Sequence, residues 1–95
     1  MTSFITRDMT ITHKEFFRIL PAALKELDYN IKNNIIEIHD GDKNITIVLG
    51  NETVRHIASL SLPGTRLTIS FSGYNEEETA EFLRRFDLAY RKGGG

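Results

Sequence analysis

Residues 34–72, NIIEIHDGDKNITIVLGNETVRHIASLSLPGTRLTISFS, decide the fold, because apolar side chains recur there at every second position and turn chemistry at Asp40-Gly41 and Pro63-Gly64 parts the runs. That pattern is a meander of strands with one apolar and one polar face. Ile36 and Ile38 form one inward row, then Ile45, Ile47 and Leu49, then Ala58, Leu60 and Leu62, and last Leu67, Ile69 and Phe71. Asn33-Asn34 tolerates left-handed backbone and turns the chain out of a shorter strand carrying Tyr29 and Ile31. Residues 40–43 make the next turn, Gly50-Asn51 breaks the following strand, and Pro63-Gly64 suits the central positions of a type II turn.

The opposite parity reads Glu37 and His39, then Thr46 and Val48, then Arg55, Ile57, Ser59 and Ser61, then Arg66, Thr68, Ser70 and Ser72. Half of these carry hydroxyls. An antiparallel sheet covered on one side leaves such a face to solvent or to a partner.

Two segments of helical period flank the strands. In 12–27, Phe16, Leu20, Ala23 and Leu27 form a stripe that Phe17 and Leu24 widen, and Thr12 stands three residues before Glu15 as a reciprocal cap. Pro21 lacks the amide that would bond the Phe17 carbonyl, so this segment is expected to kink or to split into two short helices. In 75–92, Asn75 caps with Glu78, and Glu76, Glu77 and Glu78 crowd the positive end while Arg84, Arg85, Arg91 and Lys92 crowd the negative one. Glu81 with Arg85 and Asp87 with Arg91 are favourable four-residue pairs, and Thr79, Phe82, Leu83, Phe86, Ala89 and Tyr90 make the buried stripe.

The expected architecture is a two-layer α+β domain: a helix, four or five antiparallel meander strands and a second helix, both helices on one face. Residues 1–11 show no sustained period and read as a flexible lead-in or a short edge strand, the lead-in being the preferred reading. The domain then spans 12–92, and 93–95 are a glycine tail.

At 95 residues the chain is one domain, able to bury roughly two-thirds of its unfolded surface without staples. It has no cysteine, which removes disulfides, thiol catalysis and thiolate zinc sites and suits a reducing compartment. No apolar run approaches the roughly 20 residues of a membrane span and no basic leader precedes one, so a soluble, cytoplasmic protein is expected. Asn44-Ile45-Thr46 and Asn51-Glu52-Thr53 match the glycosylation pattern but read as ordinary strand and turn residues in an unexported chain. A formal net charge of −1 with both signs interspersed gives no electrostatic reason to expect nucleic acid or a membrane surface.

The chemistry-bearing residues do not gather into a site. His13 and His39 read as surface residues and His56 as a partly buried rim residue, and none is spaced from another as metal ligands are. Ser59, His39 and Asp40 hold the residue types of a nucleophilic triad, yet no nucleophile elbow or oxyanion turn accompanies them. Gly50, Gly64 and Gly73 are isolated and form no phosphate-cradling loop. The strand aromatics Tyr29 and Phe71 have inward parity, which argues against base stacking by an open sheet even with Arg55 and Arg66 at hand. No catalytic residue, cofactor or metal is therefore assigned.

The terminal Arg91-Lys92-Gly93-Gly94-Gly95 is similar, in the tail alone, to ubiquitin-type and sulfur-carrier proteins, whose diglycine carboxylate is activated by adenylation. Those folds send a strand into the tail, whereas a helix is expected here. The function expected instead is a small binding or protein-interaction module, its contact surface formed by Glu37, His39, Val48, Arg55, Ile57 and Arg66, and its partner another protein or a second copy. Were Val48 and Ile57 neighbours, pairing through that face would follow.

Overall fold

The computed structural model describes residues 2–93, with side chains for 3–91. Thr2–Met9 forms strand β1, the edge-strand alternative and not a mobile lead-in. It lies antiparallel to the last strand, with Ile5 opposite Ile69 and Met9 opposite Thr65. Ile5 and Met9 thereby pack on the core, while Phe4, Thr6 and Asp8 face the other way.

Helix α1, His13–Leu24, begins where expected: the Thr12 hydroxyl accepts a 3.1 Å bond from the Glu15 amide. Pro21 lies inside one continuous helix with its ring at the surface, so the segment does not split. The helix ends at Leu24, short of the expected Leu27, because Lys25 turns to φ 49° and gives its amide to the Pro21 carbonyl. Leu27 still packs against the core from the loop.

Five further strands follow: β2 Asp28–Lys32, β3 Ile35–Asp40, β4 Lys43–Leu49, β5 Thr53–Ile57 and β6 Leu60–Ser72. The sheet is antiparallel in the order β1-β6-β4-β3-β2, and β5 pairs with β6 off that path. The turns at Asn33, with φ 58°, and Gly41, with φ 65°, use the left-handed backbone their sequence offers.

Pro63-Gly64 is not a turn. Both residues lie within β6, opposite Val54 and Thr53, and the chain reverses instead at Ala58-Ser59, where Ala58 takes φ 54°. Proline is admissible there because β1 stops opposite Thr65, which leaves β6 with a single neighbour at Pro63. With β6 unbroken, the parity that buries Leu67, Ile69 and Phe71 puts Leu60 and Leu62 on the opposite, outer side. The expected inward row of Ala58, Leu60 and Leu62 is thus overturned: Leu60 and Leu62 face outward and Ala58 lies in the turn.

Strands β4 and β5 lie along the same edge of β6 and form one long hairpin arm with it. Between the pairs Leu49–Leu67 and Thr53–Gly64, three residues (Gly50, Asn51, Glu52) oppose two (Thr65, Arg66), a one-residue bulge. The Gly50 amide bonds the Arg66 carbonyl at 2.7 Å within it. The bulge switches outward parity from Thr46 and Val48 to Arg55 and Ile57, which pair with Leu62 and Leu60. Beyond it, β5 and residues 60–64 extend past the body as a two-stranded ribbon, called the arm below, and the molecule measures 47 × 26 × 22 Å.

Helix α2, Glu76–Gly93, opens with the reciprocal cap: Glu78 N–H to Asn75 Oδ1 at 2.8 Å and Asn75 N–H to Glu78 Oε1 at 3.0 Å. Arg84 and Arg85 both bond Glu81 and hold its carboxyl down to about 2. Asp87 does not pair with Arg91. It accepts two bonds from the Arg7 guanidinium, the shorter 2.9 Å, and so fastens β1 to α2. Of the expected glycine tail, Gly93 ends the helix, while Gly94 and Gly95 lie outside the described residues.

Both helices cover one face. Phe16, Leu20 and Leu24 of α1 and Phe82, Phe86 and Tyr90 of α2 close over Ile36, Ile38, Ile45, Ile47, Leu67, Ile69 and Phe71, all buried. Ile19, outside the expected stripe, is buried with them. Each such side chain contributes about 1.5–3 kcal/mol by leaving water. Among the described residues no helix is long and apolar enough to cross a membrane.

Candidate functional site

Strand pairing orders the open face of the sheet into rows, since residues directly opposite one another share a side. One row runs Asn30, Glu37, Thr46, Ser70, Phe4, and the next runs Lys32, Ile35, Val48, Thr68, Thr6. A third holds Asp28, His39, Asn44 and Ser72. Hydroxyls fill the middle, and three large apolar side chains stand among them: Phe4 is 68% exposed, and Ile35 and Val48, a direct cross-strand pair, are each 40% exposed.

Glu37, His39 and Val48 lie together on this face as expected. His39 Nδ1 sits 3.1 Å from the Asn44 amide oxygen. Arg66 faces the same way at the base of the arm, but it is engaged: its Nε donates to Asp8 at 2.7 Å and Nη2 at 3.2 Å. That pairing, with a smaller contribution from the nearby Arg55 charge, holds the Asp8 carboxyl below the usual carboxylate range. Arg55 and Ile57 lie farther out. Along β6, Val48 stands opposite Thr68 and Ile57 opposite Leu60, eight residues apart, or roughly 27 Å at strand rise. Val48 and Ile57 of one chain are therefore not neighbours.

The arm carries the larger apolar exposure. Val54 and Leu60 are each 60% exposed and Ile57 is 49% exposed, and every residue from 51 to 61 is exposed. Its base is anchored on the helix side. His13 Nε2 lies 2.8 Å from the Gly50 carbonyl, the His13 amide donates to Glu52 at 2.8 Å, and the buried Thr65 hydroxyl donates to the Ile11 carbonyl at 2.8 Å. The bulge is held by α1, and the ribbon beyond it projects from a fixed point.

Phe4, Ile35, Val54, Leu60 and Leu62 were absent from the expected surface. Alternation of Ile5, Arg7 and Met9 with Phe4, Thr6 and Asp8 was the signal for β1, and the parity opposite to Ile36 and Ile38 was the signal for Ile35. Leu60 and Leu62 carried none short of locating the turn.

The titratable groups are scattered or mutually engaged. His56, expected at a partly buried rim, is exposed on the arm with its Nδ1 3.1 Å from the Ser61 hydroxyl. Ser59 and His39 lie at opposite ends of the sheet, roughly 40 Å apart along β6. Among the described residues no three His, Asp or Glu side chains gather as a metal site would require. Between the end of α1 and the start of α2 lies an open groove of about 640 Å³. There the Tyr74 hydroxyl donates to Asp40 at 3.0 Å and Lys43 pairs with Glu78 beneath the same ring. Burial, then Asp40, push the Tyr74 phenol up. These groups satisfy one another and tie the β3–β4 turn to α2.

No family model and no curated protein matches the chain.

Proposed function

We propose that this chain is a small protein-interaction module that presents the open face of its sheet and the arm to a protein partner. The observation that carries the reading is the arm. A two-stranded ribbon alone is marginally stable in water, yet this one projects from a bulge pinned by His13 and Thr65 and holds Val54, Ile57 and Leu60 out to solvent. Scattered surface apolar residues are ordinary. Here they recur on one protruding element and again at Ile35, Val48 and Phe4 on the adjoining face.

The reading places the protein in the cytoplasm, which its lack of cysteine suits. It takes no membrane or nucleic acid as partner: Arg66 is occupied by Asp8, Tyr29 and Phe71 pack inward, and among the described residues Phe4 alone stands out for base stacking. A photo-crosslinking side chain at Val48 or Leu60, in cells that make the protein naturally, is expected to yield covalent protein adducts. Ala22 and Ala80 on the exposed helix surfaces serve as controls. Adducts from the two alanines only, or from none of the four, would overturn the reading.

A further inference from the structure

We propose that two copies of this chain form a two-fold dimer in which the arm of each lies on the open sheet face of the other. The inference rests on the interaction-module reading and names the partner.

Parity gives the first argument. The outward residues of β6 run unbroken from Leu60 to Ser72, so the apolar side of the arm and the open face look in the same direction. Two such surfaces can each cover the other only when the sheets stack face to face with strand directions reversed, about a two-fold axis crossing β6. An axis at Gly64 sets Leu60 of one copy against Thr68 of the second, and Leu62 against Arg66. Because β4 and β5 share one edge of β6, Ile57 then falls over Val48, beside Ile35. The apolar end of each arm meets the Val48–Ile35 pair of the other face, twice, with one spacing. The residue on the axis is a glycine, so that only the Thr53 hydroxyl, which leans over it to donate to the Gly64 carbonyl at 3.2 Å, stands between the crossing strands. Arg66 offers its aliphatic stem to Leu62 while its guanidinium stays on Asp8.

Area gives the second. The overlap from Leu60 to Thr68 is roughly 27 Å long and about 10 Å wide, the width of the two-stranded arm. Counted over both copies with side-chain relief, the buried surface is on the order of 700 Å², the range of weak, transient association. The dimer is therefore concentration-dependent and not obligate. Sheets packed in this manner lie about 10 Å apart, within reach of a short linker.

The chain has no cysteine, so single cysteines report geometry cleanly. Leu60→Cys protein mixed with Thr68→Cys protein and treated with a short bis-maleimide is expected to give the mixed crosslinked dimer as the main product, over Leu60–Leu60 or Thr68–Thr68 links. Wild type is expected to sediment between 10.8 kDa and twice that mass as concentration rises. Leu60→Glu and Val48→Glu are each expected to raise the dissociation constant about tenfold or more, as loss of a central apolar anchor does, with circular dichroism unchanged. A wild-type monomer at every concentration, self-links matching the mixed link, or a dimer that survives both glutamates would each overturn the proposal. A monomer that still forms adducts with a different protein at Val48 or Leu60 would sink the dimer and leave the module reading standing.

Discussion

Tyr90 of α2 donates its hydroxyl to the main-chain carbonyl of Phe16 in α1 at 2.8 Å while the two rings stack with centroids 5.1 Å apart. One residue thus joins the helical layer by both a polar and an apolar contact. The neighbouring carbonyl, Phe17, is the one that Pro21 leaves without its helical donor, so the bond falls where α1 is weakest.

Tyr90→Phe keeps the ring stack and removes the bond, and it is expected to cost about 1 kcal/mol in chemical denaturation at neutral pH. Its pH dependence is more specific. Burial first, then the neighbouring Tyr29, raise the Tyr90 phenol above its ordinary 10.0, and burial with Asp40 raises Tyr74 in the same direction. The folded state keeps protons that the unfolded state releases, so stability is full below pH 10.0 and falls as pH rises past it. Tyr74→Phe with Tyr90→Phe should flatten that alkaline decline; an unchanged decline would remove both tyrosines as its cause.

Leu60 and Ile69 share β6 but not its fate, one 60% exposed and the other fully buried. Ile69→Ala is expected to cost about 2–5 kcal/mol from lost burial and the cavity left behind. Leu60→Ala should stay within about 0.5 kcal/mol when measured dilute enough to exclude association. Equal losses would mean that Leu60 lies inward along with Ile69 and that the alternation of β6 breaks between them, as a turn at Pro63-Gly64 would make it do.

That register is where the sequence ceased to be legible. From residue 34 to residue 49 alternation, Asn-rich and Gly-containing turns, and burial agree, and Ile36, Ile38, Ile45, Ile47 and Leu49 are buried as read. Both helix caps form because their chemistry is local: Thr12 with Glu15, Asn75 with Glu78. Pro63-Gly64 misleads because a proline excluded from a central strand is harmless once β1 has ended and β6 has a free edge. The true turn, Ala58-Ser59, has no sequence signature, and one misplaced reversal inverts every side chain as far as Leu62. Glu37, His39 and Val48 were found together because their parity is set by the legible strands. Ile57 lies far from them because β5 continues the line of β4 along β6 instead of folding back beside it, an arrangement that no local pattern announces.

Ala58 adopts φ 54° at the arm's reversal, a conformation that burdens an alanine. Ala58→Gly is expected to relieve roughly 1 kcal/mol of strain in the ribbon. The gain is local, since the arm contributes nothing to the buried core. Amide exchange should slow at the Ile57–Leu60 and Arg55–Leu62 pairs and stay unchanged at Ile47 and Ile69. Faster exchange in the arm would show that the added freedom of glycine in the unfolded ribbon outweighs the strain it removes.

Arg7 and Asp87 join the edge strand to the second helix through two hydrogen bonds, with side chains 38% and 39% exposed. At that exposure the pair is worth at most about 1 kcal/mol. Its position matters more than its strength, because β1 brings Phe4 to the open face and pairs with β6 alone. Asp87→Asn keeps the shape and removes the charge. It is expected to speed amide exchange at Ile5 and Arg7 while leaving the α1–α2 contact at Phe16 and Tyr90 unchanged, and about 1 M salt should reproduce part of the effect in wild type, where ions screen the pair. Protection of β1 that is indifferent to both would assign its docking to Ile5 and Met9 alone, and would make the ion pair a passenger on an apolar contact.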